Sequence, residues 1–435
     1  MRKLLLISLL LASNSSFGEN LKKVFDDAVK NDPVLSAARQ NYKAIAQSTP
    51  QARALLLPNI ALSASTSDTE QTGTTAFNSD NDNVALTLTQ PIFNYSLLIK
   101  LKQAKLTVKK AGIELNAAYQ DLIIRVTQRY FAVLTAIDKL AFARAEKRAI
   151  ARQLEQARKR FEVGLIAVTN VHEAKAAHDL AIAQVIAAQN DLSSRQESLR
   201  EITNQQHRIL YQLRPDIPLV SPEPANMQAW TKIALQQNLK LQAVVFDVDL
   251  ARAEIRSQRS GHMPSVDLIA NKSTNKTTGG NFGATDTENN SIELRLKIPL
   301  FSGGFTRSKT KEARHRYQQA QQNLERQRRE ALRQTRDAYR GVITGISRVR
   351  ALKQAIVSSK SALRATRAGY RVGTRTIVDV LNAQRELFRA QSNYTDARHA
   401  YVLNLLQLKQ AAGTLSAKDL NAINNWLAAA TPSGN

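Results

Sequence analysis

His172-Glu173 is the first pair in this chain that could do chemistry, because a histidine beside a glutamate on a helix can bind zinc and activate water. That chemistry needs a second histidine four residues after the first, and here it falls at 178 rather than 176. The six histidines are scattered, and His172 reads as a solvated helix residue. No Gly-x-Ser-x-Gly elbow, phosphate-binding loop or dinucleotide fingerprint occurs. Gly279-Gly280 with Gly283 lies in a Thr/Asn-rich stretch and reads as a surface turn. With no cysteine there is no thiolate metal site, cysteine nucleophile, disulfide or lipid-modified N-terminal cysteine, and three methionines do not make a soft-metal relay. The residues point to no enzyme, no metal and no cofactor.

Charge is the next chemical signal. Lys plus Arg is 61 against 36 Asp plus Glu, a formal charge of +25 over 435 residues. Arg326, Arg328, Arg329, Arg333 and Arg336 crowd one region, near Arg314 and Arg316. Two readings stay open: a solvated helical face, or a basic patch facing a channel or an anionic partner. Nucleic acid is the obvious partner for such a charge. Against it stands the N-terminus. Arg2 and Lys3 precede the apolar stretch Leu4 to Ala12, and Ser16-Phe17-Gly18 offers small residues before a cut at Glu19, so residues 1–18 read as a secretory signal. Export would take the chain away from nucleic acid and weakens that reading.

Length suggests about three units at ~150 residues each. Mean hydropathy is −0.33, and no apolar run approaches the ~20 residues a spanning helix needs. Prolines are absent between Pro91 and Pro215 and between Pro299 and Pro432, and both windows are rich in Ala, Gln, Arg, Leu and Glu. Leu101, Val108, Leu115 and Leu122 are seven apart, and the phase then shifts by four to Val126, Val133 and Leu140. This is a heptad pattern with one stutter, typical of long helices packed side by side. Ser96 to Val163 would extend ~100 Å and Val168 to Leu213 ~70 Å, a shortfall that a stacked helix within Leu21–Leu57, or Trp230–Met263 in the second half, could fill. Gly164 and Gly373 break the runs within Phe161-Glu-Val-Gly164 and Tyr370-Arg-Val-Gly373, as glycines that stop helices do.

The second half repeats the first. Pro58 matches Pro264, Pro91 matches Pro299 and Gly164 matches Gly373, at offsets of 206, 208 and 209. The expected organisation is a first repeat over 19–213, a proline-rich linker over 214–226, a second repeat over 227–415 and a C-terminal segment over 416–435. Hairpins span about 96–213, with its tip at Gly164, and 305–412, with its tip at Gly373. Period-two alternation of Ile60, Leu62, Ala64; Val84, Leu86, Leu88; Val266, Leu268, Ala270; and Ile292, Leu294, Leu296 predicts strands near 59–67, 83–91, 265–274 and 289–298. The Asn/Thr/Gly/Asp-rich segments 68–82 and 275–290 read as exposed loops.

Four one-sided strands in an exported chain match the weak signature of an outer-membrane barrel, yet too few are present to close one, and an open edge in lipid is forbidden. A barrel would have to be shared, by twelve strands from three chains or eight from two. A small soluble sheet capping a helical bundle is the alternative.

These features together resemble the TolC family of outer-membrane channel-tunnels. The resemblance covers almost the whole mature chain and is most specific over Tyr370-Arg-Val-Gly-Thr-Arg-Thr-Ile-Val-Asp-Val-Leu-Asn-Ala383 and its counterpart Phe161-Glu-Val-Gly-Leu-Ile-Ala-Val-Thr-Asn-Val171. It implies a mixed, mainly α fold: a homotrimer with a 12-stranded β-barrel in outer-membrane lipid, continuous with a long periplasmic α-helical barrel. It implies a passive exit duct for drug efflux or type I secretion, opened at its tip by a periplasmic adaptor and an inner-membrane pump of the RND, ABC or MFS type. Tyr370 and Arg375 match the family's gate donors and Thr169 one acceptor; Asn170 stands where the family type has aspartate. Asp379 matches the first entrance ring, and Asn382 stands where a second aspartate ring would be. Asn170 can still hydrogen-bond a Tyr hydroxyl but lacks the charge that would strengthen the bond, and one entrance ring instead of two predicts weaker cation selectivity and weaker multivalent block. The tips, Val163-Gly164-Leu165 and Val372-Gly373-Thr374, are the expected adaptor contacts. The rival readings are a periplasmic adaptor, a structural coiled-coil protein of the envelope, and a basic coiled coil that binds nucleic acid.

Overall fold

The computed structural model describes residues 18–74, 76–207, 209–280 and 283–429. The predicted signal therefore lies, but for Gly18, outside the described residues. Instead of three units, the chain forms two: one takes residues up to Ala37, Ala117–Asn238 and from Ala331 onward; the other takes Ala38–Asn116 and Leu239–Glu330.

The element order is α1 (Leu21–Asn31), α2 (Pro33–Ala46), α3 (Ser48–Ala54), β1 (Asn59–Gln71), β2 (Phe77–Asn94), α4 (Tyr95–Glu162), α5 (Val168–Thr203) and β3 (Gln212–Leu213). It continues with α6 (Met227–Gln237), α7 (Leu239–Arg259), β4 (Ser265–Gly279), β5 (Thr285–Lys297), α8 (Phe305–Arg371), α9 (Ile377–Ala412), α10 (Ala417–Asn424) and β6 (Leu427–Ala428). Local chemistry explains the helix starts. The Asn20 side chain caps α1 by accepting Lys23 N–H at 2.9 Å, and Asn226 caps α6 in the same way through Gln228 N–H at 2.8 Å. Asp32 ends α1 and caps α2 through Leu35 N–H at 2.6 Å, with Pro33 at the first helical position, where its missing N–H costs nothing.

In the first unit the heptad seam is the core. Leu122, Val126, Tyr130, Val133 and Leu140 of α4 are buried, as are Tyr401, Val402, Leu406 and Leu408 of α9. Helix α1 buries Leu21, Val24, Phe25 and Ala28 and packs on α5 and α10. The fully enclosed Asp32 carboxylate takes a two-pronged ion pair from Arg125 at 2.8 and 3.0 Å. Burial alone would raise its pKa, but the guanidinium and the Leu35 and Val34 N–H groups outweigh that and hold it below the usual carboxylate range.

The second unit contains a four-stranded antiparallel sheet in the order β1-β2-β4-β5. Residues Ile60, Leu88, Ala270 and Ile292 form one continuous row across it. This row is the lowest of the apolar triplets on β1 and β2 and the highest on β4 and β5, so the apolar band is level across each hairpin and steps by four residues between β2 and β4. Strands β1 and β5 each present one edge without a partner among the described residues.

The structure corrects the sequence reading in two further places. Strands run on through most of 68–82 and 275–290, so those segments are ladders around short turns, not loops. Asn, Asp and Gly are depleted in strands and mask the favourable Thr residues among them, but pairing with a neighbour decides, and both faces of the sheet are polar at this level. Helix α5 stops at Thr203 rather than near 213, because Asn204 takes a left-handed conformation (φ 53°) and ends it. The chain beyond then pairs β3 with β6, a contact between residues more than 200 apart in sequence.

Candidate functional site at the helix tips

The two tips are built identically. Helix α4 ends with Leu165 N–H bonded to the Arg160 carbonyl and Gly164 N–H to the Phe161 carbonyl, both at 2.8 Å. Helix α8 ends with Thr374 N–H on the Gly369 carbonyl at 2.9 Å and Gly373 N–H on the Tyr370 carbonyl at 3.3 Å. This paired five- and three-residue closure needs a left-handed residue, supplied by Gly164 (φ 74°) and Gly373 (φ 81°). It leaves Val163, Leu165 and Val372 projecting, at 68%, 71% and 75% exposure.

The helices that leave the two tips start differently. Helix α9 opens with a reciprocal capping box: Asp379 N–H donates to Thr376 Oγ1 at 3.2 Å, and the Asp379 carboxylate accepts from Thr376 N–H at 2.9 Å and Thr376 Oγ1–H at 3.0 Å. Helix α5 opens at Ala167, which has no side-chain cap. The Thr376 N–H and hydroxyl, with Arg375 nearby, hold the Asp379 carboxyl below its ordinary value, so it stays ionised. Asn382 is exposed one turn further on.

Tyr370 is half-buried against Ile150, Ala181, Ile377 and Leu381. The Arg160 guanidinium lies 5.0 Å from its ring centroid. Its hydroxyl is buried without a hydrogen-bond partner among the described residues, so within the chain it does not reach Asn170. Arg375 folds back across Gly369, where a Cβ would come within 2.8 Å of Arg375 Cγ. Thr169 is exposed and Asn170 half-buried at the start of α5. The capping partner Thr376 was legible as Thr-x-x-Asp at a helix start. Arg160 and Gly369 had no such signal, because their roles depend on how helix ends meet.

Elsewhere, His172 is exposed on α5, and Gly279, Gly280 and Gly283 take positive φ at the β4–β5 turn. Among the described residues no cluster could hold a metal ion, and no helix is long and apolar enough to cross a membrane. The arginines of α8 are solvent-facing and laced to acids on the same helix: Arg329 to Glu325 at 2.8 Å, Arg316 to Glu312 at 2.7 Å, and Arg333 to Asp337 at 3.1 Å.

The sequence profile of the outer membrane efflux protein family matches residues 24–205 and again 230–414. The chain belongs to this family. It is 38% identical over 418 residues to the outer membrane protein TolC of Vibrio cholerae, covering 95% of each chain. It is 37% identical to TolC of Escherichia coli over 98% of this chain and 90% of that one. It is 30% identical to the alkaline protease secretion protein AprF of Pseudomonas aeruginosa, over 98% and 91%. The fold is shared with the outer membrane protein VceC of Vibrio cholerae (TM-score 0.76, 20% identity, 90% and 96% coverage) and with CusC (TM-score 0.78, 19% identity, 91% and 93% coverage). The family is one of transport channels and not of enzymes, and nothing in the matches favours an adaptor.

Proposed function

We propose that the chain is the passive exit duct, in the outer membrane, of tripartite efflux and type I secretion systems. Three copies would close a 12-stranded barrel, with the helices extending into the periplasm. The exposed apolar band on the sheet carries this reading. Level across each hairpin, it steps by four residues, ~14 Å, between β2 and β4. A membrane slab crossing tilted strands displaces the apolar segment along them in this sense, and membrane barrels tilt their strands by about 35–45°. A soluble cap has no reason to leave Ile60, Leu62, Ile292 and Leu294 facing water. The unpaired edges of β1 and β5 then supply the seam between copies, since lipid tolerates no open edge.

At the helix tips, Tyr370 and Arg375 would tether neighbouring hairpins through Thr169 and Asn170, and three Asp379 carboxylates would ring the entrance beside Asn382. The unpartnered hydroxyl of Tyr370 supports a bond completed by a neighbouring copy. Val163-Gly164-Leu165 and Val372-Gly373-Thr374 would meet the adaptor, with an RND, ABC or MFS pump behind it. The charge of +25 is spread over a solvated helical surface and calls for no nucleic acid. Conductance of the purified mature protein in a planar bilayer tests the reading. Discrete, long-lived openings of small conductance from a trimer are expected; folded trimer that never conducts would sink the duct.

A further inference from the structure

We propose that Arg160 is a positioning residue of the closed tip, holding the last turn of α8 against the last turn of α4 through the face of Tyr370. This rests on the gate reading above and adds to it a link inside each chain. Arg160 lies two residues before the end of α4 and Tyr370 one before the end of α8. Beyond them the chain enters the exposed glycine turns, so this contact is the last point at which the two helices can be fastened. The guanidinium carbon sits 5.0 Å from the ring centroid, inside the ~6 Å reach of a cation over an aromatic face. Among the described residues the Arg160 side chain makes no ion pair, whereas its neighbour Lys159 is taken up by Glu155 at 3.0 Å. Its charge is therefore left for the ring.

The contact fixes more than distance. Tyr370 also packs against Ile150, Ala181, Ile377 and Leu381. The guanidinium over its face and this apolar packing together restrict the ring, and the ring's orientation sets where the hydroxyl points. The hydroxyl makes no bond in its own chain among the described residues. Arg160 thus aims a donor that a neighbouring copy completes.

A second role for a basic residue in a last helical turn is to complement the helix dipole. Lys159 occupies the same turn and would share that role, so it serves as the control. The experiment measures the closed-to-open ratio in planar bilayers for Arg160→Ala, Arg160→Lys and Lys159→Ala, alone and combined with Tyr370→Leu or Tyr370→Phe. Thermal melts followed by circular dichroism check that each variant is folded. Arg160→Ala is expected to lower the ratio by about 2- to 30-fold, Arg160→Lys by less, and Lys159→Ala not at all. Combined with Tyr370→Leu, which removes the ring, Arg160→Ala should add nothing. Combined with Tyr370→Phe, which keeps the ring but removes the hydroxyl, it should still add an effect, smaller than in the wild type. A silent Arg160→Ala, or one that adds fully to Tyr370→Leu, overturns the proposal while leaving the gate intact. If Tyr370→Leu is itself silent, the gate reading falls and this link falls with it.

Discussion

Thr376 and Asp379 hold one another across the first turn of α9, the threonine donating twice to the carboxylate and accepting the aspartate N–H in return. The same contacts that start the helix therefore also hold a negative charge at the proposed entrance. A residue that would line a pore is at once a helix cap, so its position and its ionisation are set together.

This coupling predicts a pH response. The folded carboxyl of Asp379 lies below its ordinary value, so the charge, and any stability it contributes, is present above about pH 3.8 and is lost only as pH falls through the lower folded value. Block by a trivalent cation should follow that charge. Thr376→Val removes the hydroxyl, weakens the cap by about 1 kcal/mol, and should move the loss of block to higher pH. Asp379→Asn should lose the block at all pH values. Titration of block in a planar bilayer reads both, and block that survives in Asp379→Asn would rule out the ring.

Tyr370→Phe and Arg375→Ser each remove one proposed tether while keeping the side chain's bulk or the backbone turn. Each should raise resting conductance, and the double variant should raise it further. Unchanged single-channel currents in folded trimers would count against tethering.

The Asp32–Arg125 pair should carry stability. Arg125→Ala strands an enclosed carboxylate and should cost about 3 kcal/mol. In the wild type the contribution is present above the unfolded value near pH 3.8 and fades as pH falls through the lower folded value. Chemical denaturation should therefore separate wild type from variant by more at pH 7 than at pH 3.

Glycines at helix ends should not be equivalent. Gly373 has a positive φ, and no atom lies within 4 Å of where a Cβ would sit, so Gly373→Ala should cost about 1–2 kcal/mol through backbone strain alone. Gly413 (φ 80°) has the Gln237 carbonyl oxygen 2.0 Å from that point. Gly413→Ala should lower the melting temperature well beyond Gly373→Ala; equal melts would refute the close approach.

Much of this architecture was legible because long helices advertise themselves. Phe305–Arg371 and Ile377–Ala412 lie in a proline-free run, and the break between them falls at Gly373. The apolar cores of the strands were equally plain, since Ile60, Leu62 and Ala64 alternate with polar residues. Their polar extensions were not, because Asp68, Asp80 and Asn275 carry no strand signal of their own and follow the ladder only once a partner is in place. The end of α5 and the pairing of β3 with β6 escaped for the related reason that both depend on residues remote in sequence. At the tips the residue types Tyr370, Arg375 and Asp379 stood out, but the guanidinium of Arg160 over Tyr370 is a product of helix meeting helix.

The open edges of β1 and β5 have a genetic consequence. If each pore is sealed only by borrowing a neighbour's edge, a chain with a spoiled edge does not simply fail; it enters assemblies and ruins those it joins. Where such an allele is expressed equally with the normal one, and assemblies hold three copies as proposed, only roughly one in eight would be free of it. Edge mutations should therefore be dominant, whereas loss of expression should be recessive.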